Sequence, residues 1–111
     1  MRSSRRGGRA AAMTVDVGEE EQLARMIAAA IGDYGRIDVL FNNALMTNPA
    51  FAARDADFLN LEPEMFYATM RVNVMGGVLA SKLAIPHMLS QGGGSIIFTS
   101  SGSSLGGDVT A

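Results

Sequence analysis

Apolar positions recur along the chain with two different periods. Leu23, Met26, Ile27, Ala30, Ile31 and Tyr34 follow the i, i+3, i+4 spacing of one buried helical face. Glu19, Glu20 and Glu21 precede them, where the helix macrodipole favours negative charge, and Gly32 and Gly35 supply the stop. Three short apolar runs read instead as strands: Ala10 to Val17, Ile37 to Phe41, and Ser95 to Ser100. Met46 to Pro63 is irregular, with Asn48-Pro49 as a turn signal. A long helix is predicted from Glu64 to Leu89, with Pro63 near its first turn, where a missing N–H costs little. Asn73 and the Gly76-Gly77 pair are poor helix residues and predict a bend within it. Strands alternating with helices across short turns give an open α/β fold with a parallel sheet. The first nine residues, MRSSRRGGR, read as a solvated helix end followed by a Gly-Gly turn. A targeting peptide is the less favoured alternative, since the segment is short and has no cleavage-like spacer.

Composition narrows the function classes. The chain has 111 residues, one domain's worth at most, and 48% of them are hydrophobic, enough to build a core. A net charge of −2 makes no electrostatic case for nucleic acid or an anionic membrane. No apolar run approaches the roughly 18–20 residues that cross a bilayer. Cysteine is absent, which removes disulfides, thiolate nucleophiles and thiolate metal sites and suits a cytoplasmic location. The single histidine, His87, follows Pro86 near a helix end and reads as structural; no metal site is expected. Met65, Met70, Met75 and Met88 read as core or interface filler.

In open parallel sheets, ligands bind outside the carboxyl ends of the strands. All three predicted strands end there in polar groups: Asp16, then Asn42 and Asn43, then Ser100 and Ser101. One polar strand end is ordinary turn chemistry; three suggest a shared edge lined with hydrogen-bonding groups.

Three strings carry more. GRIDVLFNNA at Gly35–Ala44, RVNVMGG at Arg71–Gly77 and GGGSIIFTSS at Gly92–Ser101 resemble, in that order, the short-chain dehydrogenase/reductase family. Asn43 and Asn73 lie 30 residues apart and Ser101 follows 28 later, as in the family. VDV at Val15–Val17 and IPHM at Ile85–Met88 fit the same pattern, so the resemblance covers nearly the whole chain.

The resemblance implies the central portion of a single NAD(P)-binding Rossmann domain over residues 1–111, a partial doubly wound parallel sheet of three strands with helices between them. It also implies hydride-transfer chemistry between a hydroxyl and a carbonyl on a small molecule, with NAD or NADP undistinguished. Asp16 and Val17 would lie against the adenine ring, and Asn42, Asn43 and Ala44 beside the cofactor ribose. Thr99 and Ser100 would sit near the nicotinamide. Asn73 would hold a relay water at its mid-helix bend, and Ser101 would donate a hydrogen bond to the substrate oxygen. Plainer readings stand beside these: Asp16 as a helix cap, Asn73 as a polar residue at a bend, Ser101 as a turn serine. Family members often pair into homo-oligomers through the long helix.

The chain also departs from the family pattern. The residue after Asn-Asn-Ala is usually Gly, which tolerates close approach; here it is Leu45. Nothing matches the Gly-rich phosphate loop TGxxxGxG, because Gly92–Gly94 precede a strand and offer no helix N-terminus. The family's general base is the Tyr of YxxxK, whereas this chain has Tyr34, Tyr67 and Lys82, and neither tyrosine lies four residues before the lysine. In the strand order 3-2-1-4-5-6 the Asp16 strand is third and the Asn43 strand fourth, separated by two others. The chain therefore reads as a fragment or a wrongly bounded reading frame, expected to fold poorly or associate and not to turn over substrate. The alternative is a non-catalytic interaction module that joins a full-length relative through its long helix.

Overall fold

The computed structural model describes residues 2–3, 7–52, 54, 57–102 and 105. In chain order, strands β1 (Arg2–Ser3) and β2 (Ala10–Ala11) are followed by helix α1 (Glu20–Tyr34) and strand β3 (Val39–Asn42). A short helix α2 (Pro49–Ala52) and a 3-10 turn at Phe58–Asn60 lead into α3 (Pro63–Met70), a π-helical turn at Arg71–Met75, α4 (Gly76–Ser90) and β4 (Ser95–Phe98).

The core lies where α1 and α4 cross over one face of β3 and β4. The predicted face of α1 is the one buried: Leu23 and Ile27 are enclosed, with Met26, Ala30 and Ile31 packed at their margin. On α4, Ala80, Ala84 and Met88 repeat every four residues and form the opposing stripe. The small side chains of Ala80 and Ala84 let the two helices approach closely. Gly35 ends α1 with φ 79°, donating its N–H to the Ile31 carbonyl at 2.8 Å.

Strands β3 and β4 pair in parallel, Val39 opposite Ser95 through Asn42 opposite Phe98. Gln91, just past α4, extends the pairing from a side chain. Its amide oxygen accepts from Ile37 N–H at 3.2 Å, and its amide nitrogen donates to the Ile37 carbonyl. The end of α4 is thereby tied to the approach of β3.

The α/β class and the parallel pairing are as the sequence predicts, but two expectations need correcting. The predicted strand from Ala10 to Val17 forms only at Ala10–Ala11, and it pairs antiparallel with Arg2–Ser3 rather than joining the parallel sheet. A strand needs a neighbour to satisfy its backbone, and among the described residues no strand lies alongside Val15–Val17 to pair with it. Of the N-terminal residues expected to end a helix, Arg2–Ser3 instead form β1, and Gly7 takes φ 77° ahead of β2.

The long helix is continuous from Pro63 to Ser90, and its predicted bend takes the form of the π turn, with Gly76 N–H donating to the Arg71 carbonyl. Within these 28 residues an 18-residue window has a mean hydropathy of 1.2, enough by length and composition to cross a bilayer, although no uninterrupted apolar run is that long. Core helices of globular domains meet the same measure; here 22% of that window is buried, at Gly76, Ala80, Ala84 and Met88. Met70 and Met75 are exposed, so the four methionines divide between core and surface.

Candidate functional site

The C-terminal ends of β3 and β4 lie side by side because the parallel register brings Asn42 opposite Phe98. Beyond the last pair, Thr99 N–H donates to the Asn42 carbonyl at 3.1 Å, so the two chains leave the sheet together. The Thr99 hydroxyl then donates to Asn43 Oδ1 at 2.7 Å. That bond fixes the orientation of the Asn43 amide and commits its oxygen.

The π turn faces the same edge. Asn73 Oδ1 accepts the Met46 N–H at 2.7 Å, anchoring the loop after β3 to the middle of the long helix. Gly76, one turn on, passes so close to the preceding segment that a Cβ there would stand 2.8 Å from the Val17 carbonyl oxygen. Gly77 does the same for the Phe98 ring. Gly76 lets the helix settle against the turn at Val17 and Gly77 against the end of β4, which explains why poor helix formers occupy those positions.

A cavity of 510 Å³ opens at this edge. Of the residues singled out by the sequence, Val17, Asn42, Asn43, Ala44, Asn73, Thr99, Ser100 and Ser101 line it. Among the described residues, Asn42 Nδ2 is buried with no hydrogen-bond partner. A buried amide donor left unsatisfied is costly, so a site that supplies an acceptor there gains by it.

Asp16 does not line that cavity. It lines a neighbouring one of 770 Å³, together with Asn48 and Arg71, and Val17 and Ala44 belong to both. The capping alternative for Asp16 is also corrected. Glu19 occupies the N-cap position of α1, while the Asp16 carboxylate accepts the Gly18 N–H at 2.8 Å, a local turn ahead of the helix. Arg71 pairs with Glu19 at 3.1 Å, linking the start of α1 to the π turn. No local sequence signal marks Arg71 or Asn48 as cavity residues, since they reach Asp16 only through the fold. Tyr67 is largely exposed and packs edge-on against Phe66, apart from both cavities. Lys82 pairs loosely with Glu20 at 3.9 Å. His87, in the last turn of α4, lines neither cavity. Among the described residues no cluster of His, Cys, Asp or Glu could hold a metal ion.

Comparison with known proteins bears on the family and the fold. The short chain dehydrogenase family profile matches residues 2–110. The 2-(R)-hydroxypropyl-CoM dehydrogenase of Xanthobacter autotrophicus is 41% identical over 91 residues, covering 81% of this chain and 35% of its own length. A 3-oxoacyl-(acyl-carrier-protein) reductase of Thermotoga maritima is 33% identical over 87 residues, covering 78% and 33%. Among solved structures, ElxO with NADP bound superposes with a TM-score of 0.73 at 29% identity, covering 86% of this chain and 36% of its own. The chain thus spans about a third of the length of the curated relatives it matches. With its parallel strand pair, its crossing helices and a profile match over almost its whole length, the chain belongs to the short chain dehydrogenase family.

Proposed function

We propose that this chain is the central portion of an NAD(P)-dependent oxidoreductase that interconverts a hydroxyl and a carbonyl on a small molecule. The carrying observation is the convergence of Asn42–Ala44, Asn73 and Thr99–Ser101 on one cavity, with Asn42 Nδ2 buried and unpartnered. A nicotinamide cofactor fits that donor set, and when bound it supplies hydride transfer. Asp16 and Val17 would hold its adenine side, Asn42, Asn43 and Ala44 its ribose, and Thr99 and Ser100 its nicotinamide side. Ser101 would orient the substrate oxygen by hydrogen bonding and stabilise charge developing there. Asn73, its oxygen engaged by Met46, would use its amide hydrogens to hold a water behind the site.

A cytoplasmic setting and a small-molecule substrate complete this reading, without nucleic acid or a membrane. The 111-residue chain itself is proposed to be inactive, because neither Tyr34 nor Tyr67 lies four residues before Lys82. Equilibrium titration with NADPH, followed by amide chemical shifts, tests the site. Saturable shifts confined to 16–17, 42–44, 73 and 99–101 are expected, and no shift at millimolar NADPH would overturn the assignment. NADPH consumption by the purified chain would overturn the inactivity.

One observation favours a second role. Along the long helix Phe66, Tyr67, Met70, Val74, Val78, Ile85 and Leu89 are exposed, an apolar surface suited to pairing with a second copy or a full-length relative. Light scattering with and without an intact homologue tests it, and two unchanged masses would remove it.

A further inference from the structure

We infer that Arg71 is a positioning residue for base recognition, holding Asp16 at the wall of the 770 Å³ cavity through Glu19; this rests on the cofactor reading above. That cavity has three walls: residues 15–17, the loop at 44–49, and the helical stretch that carries Ala68, Arg71 and Val72. From the π turn one contact reaches to each of the other two. Asn73 accepts the Met46 N–H at 2.7 Å, and Arg71 donates to Glu19 Oε1 at 3.1 Å. The turn that bears Asp16 is also bonded within itself. Glu19 N–H donates to the Asp16 carbonyl at 3.0 Å, Gly18 N–H to the Asp16 carboxylate at 2.8 Å, and Asp16 N–H to Gln22 Oε1 at 2.8 Å. Those bonds give the turn its shape. Its place against the long helix rests on the close packing at Gly76 and on the Arg71–Glu19 pair.

Gly18 marks where the guanidinium and the carboxylate come together. A Cβ there would stand 3.1 Å from Asp16 Oδ1 and 3.2 Å from Arg71 Nε, so both side chains use the space the glycine leaves. Asp16 Oδ1 accepts one backbone bond, and a carboxylate has further acceptor sites. The amino group of adenine is a donor suited to them, whereas hypoxanthine carries an acceptor oxygen at the same place. A turn released from Arg71 spends part of its time with the carboxylate out of register, and affinity for an amino base falls by that fraction. A base that donates nothing to the carboxylate loses nothing. Both members of the pair are exposed, so removing either leaves the core intact.

AMP and inosine monophosphate (IMP) are titrated by calorimetry into the full 111-residue chain and its Arg71→Met, Glu19→Ala and doubly substituted forms. Wild type should favour AMP. Each single substitution should lower the AMP-to-IMP affinity ratio about threefold, the scale of one exposed ion pair, and the double substitution no further. IMP affinity should stay nearly constant, which also reports that each variant is folded. A ratio unmoved by either substitution, or parallel losses for both nucleotides, overturns the positioning role and leaves the cofactor site standing. So does a ratio lowered by Arg71→Met alone, which would make Arg71 a direct contact. Wild type that binds neither probe, or binds both alike, overturns the adenine placement, and this inference with it.

Discussion

The two faces of the β3–β4 pair are built from equally apolar residues and end in opposite environments. On the face toward the helices, Leu40 is buried at 9% exposure and Ile96 packs beside it. On the other, Val39, Phe41 and Ile97 stand 57%, 59% and 46% exposed. A parallel sheet covered on both sides has strands that are apolar throughout, and the run IDVLF has that composition. The contrast shows that the strand carries a pattern for two covers and meets one within this chain. The uncovered face is where association should begin.

The largest test of this contrast is a pair of truncations. Leu40→Ala should lose about 2–5 kcal/mol of stability in urea denaturation. Phe41→Ser, its neighbour on the open face, should change stability by no more than about 0.5 kcal/mol while lowering the sedimentation-average mass. Equal losses from both would erase the distinction between the faces. Next is Gly76→Ala, on the covered side. Replacing a mid-helix glycine by alanine ordinarily gains up to about 1 kcal/mol. Here the new methyl meets a backbone oxygen that cannot swing away, so a net loss of about 1–3 kcal/mol is expected, and a gain would show that α4 can back off the strand ends.

Thr99→Val removes the bond to Asn43 at an exposed position and should cost toward the lower end of about 0.5–1.5 kcal/mol. The Asn43 side-chain amide resonances should shift with it; unmoved resonances would mean the bond is not held in solution. The smallest effect belongs to Arg36 and Asp38, a solvent-exposed pair at the start of β3. The hydrogen bond from Arg36 holds the Asp38 carboxyl below the ordinary carboxylate value. Whatever stability the pair contributes is present above the unfolded-state pKa of Asp38 and lost as pH falls through its lower folded value. Arg36→Gln should accordingly match wild type in strong acid and differ little at neutral pH; a gap widening toward acid would contradict that sign.

Much of this arrangement is legible in the sequence. The 3.6-residue spacing of Leu23, Met26, Ile27, Ala30 and Ile31 locates α1 and its buried face, because a helix satisfies its own backbone and needs only a stripe to pack. The two strands that found each other lie within two residues of their predicted bounds. The Ala10–Val17 run failed because a strand's existence depends on a neighbour, which local sequence does not report. Asn73 and the glycines announced a departure from regular helix, yet not that the departure would be a wide turn facing the strand ends. Gln91, standing in for a peptide group beside Ile37, gave no signal at all. At the site, reasoning from strand ends named residues that the fold brings together, but the division into two cavities, and the place of Arg71 and Asn48 in one of them, arises from contacts between distant segments.

The π turn has a consequence best put in terms of insertions and deletions. Its i→i+5 bonding takes up one residue more than an α turn over nearly the same advance along the axis. Loss of a single codon between Arg71 and Met75 would let the helix close into regular form, with α3 and α4 still facing their present partners. The domain would keep its core and surrender the Asn73 contact with Met46. A length change harmful almost anywhere else in a packed helix is thus confined here to function, leaving the fold free to gain or lose the site in one step.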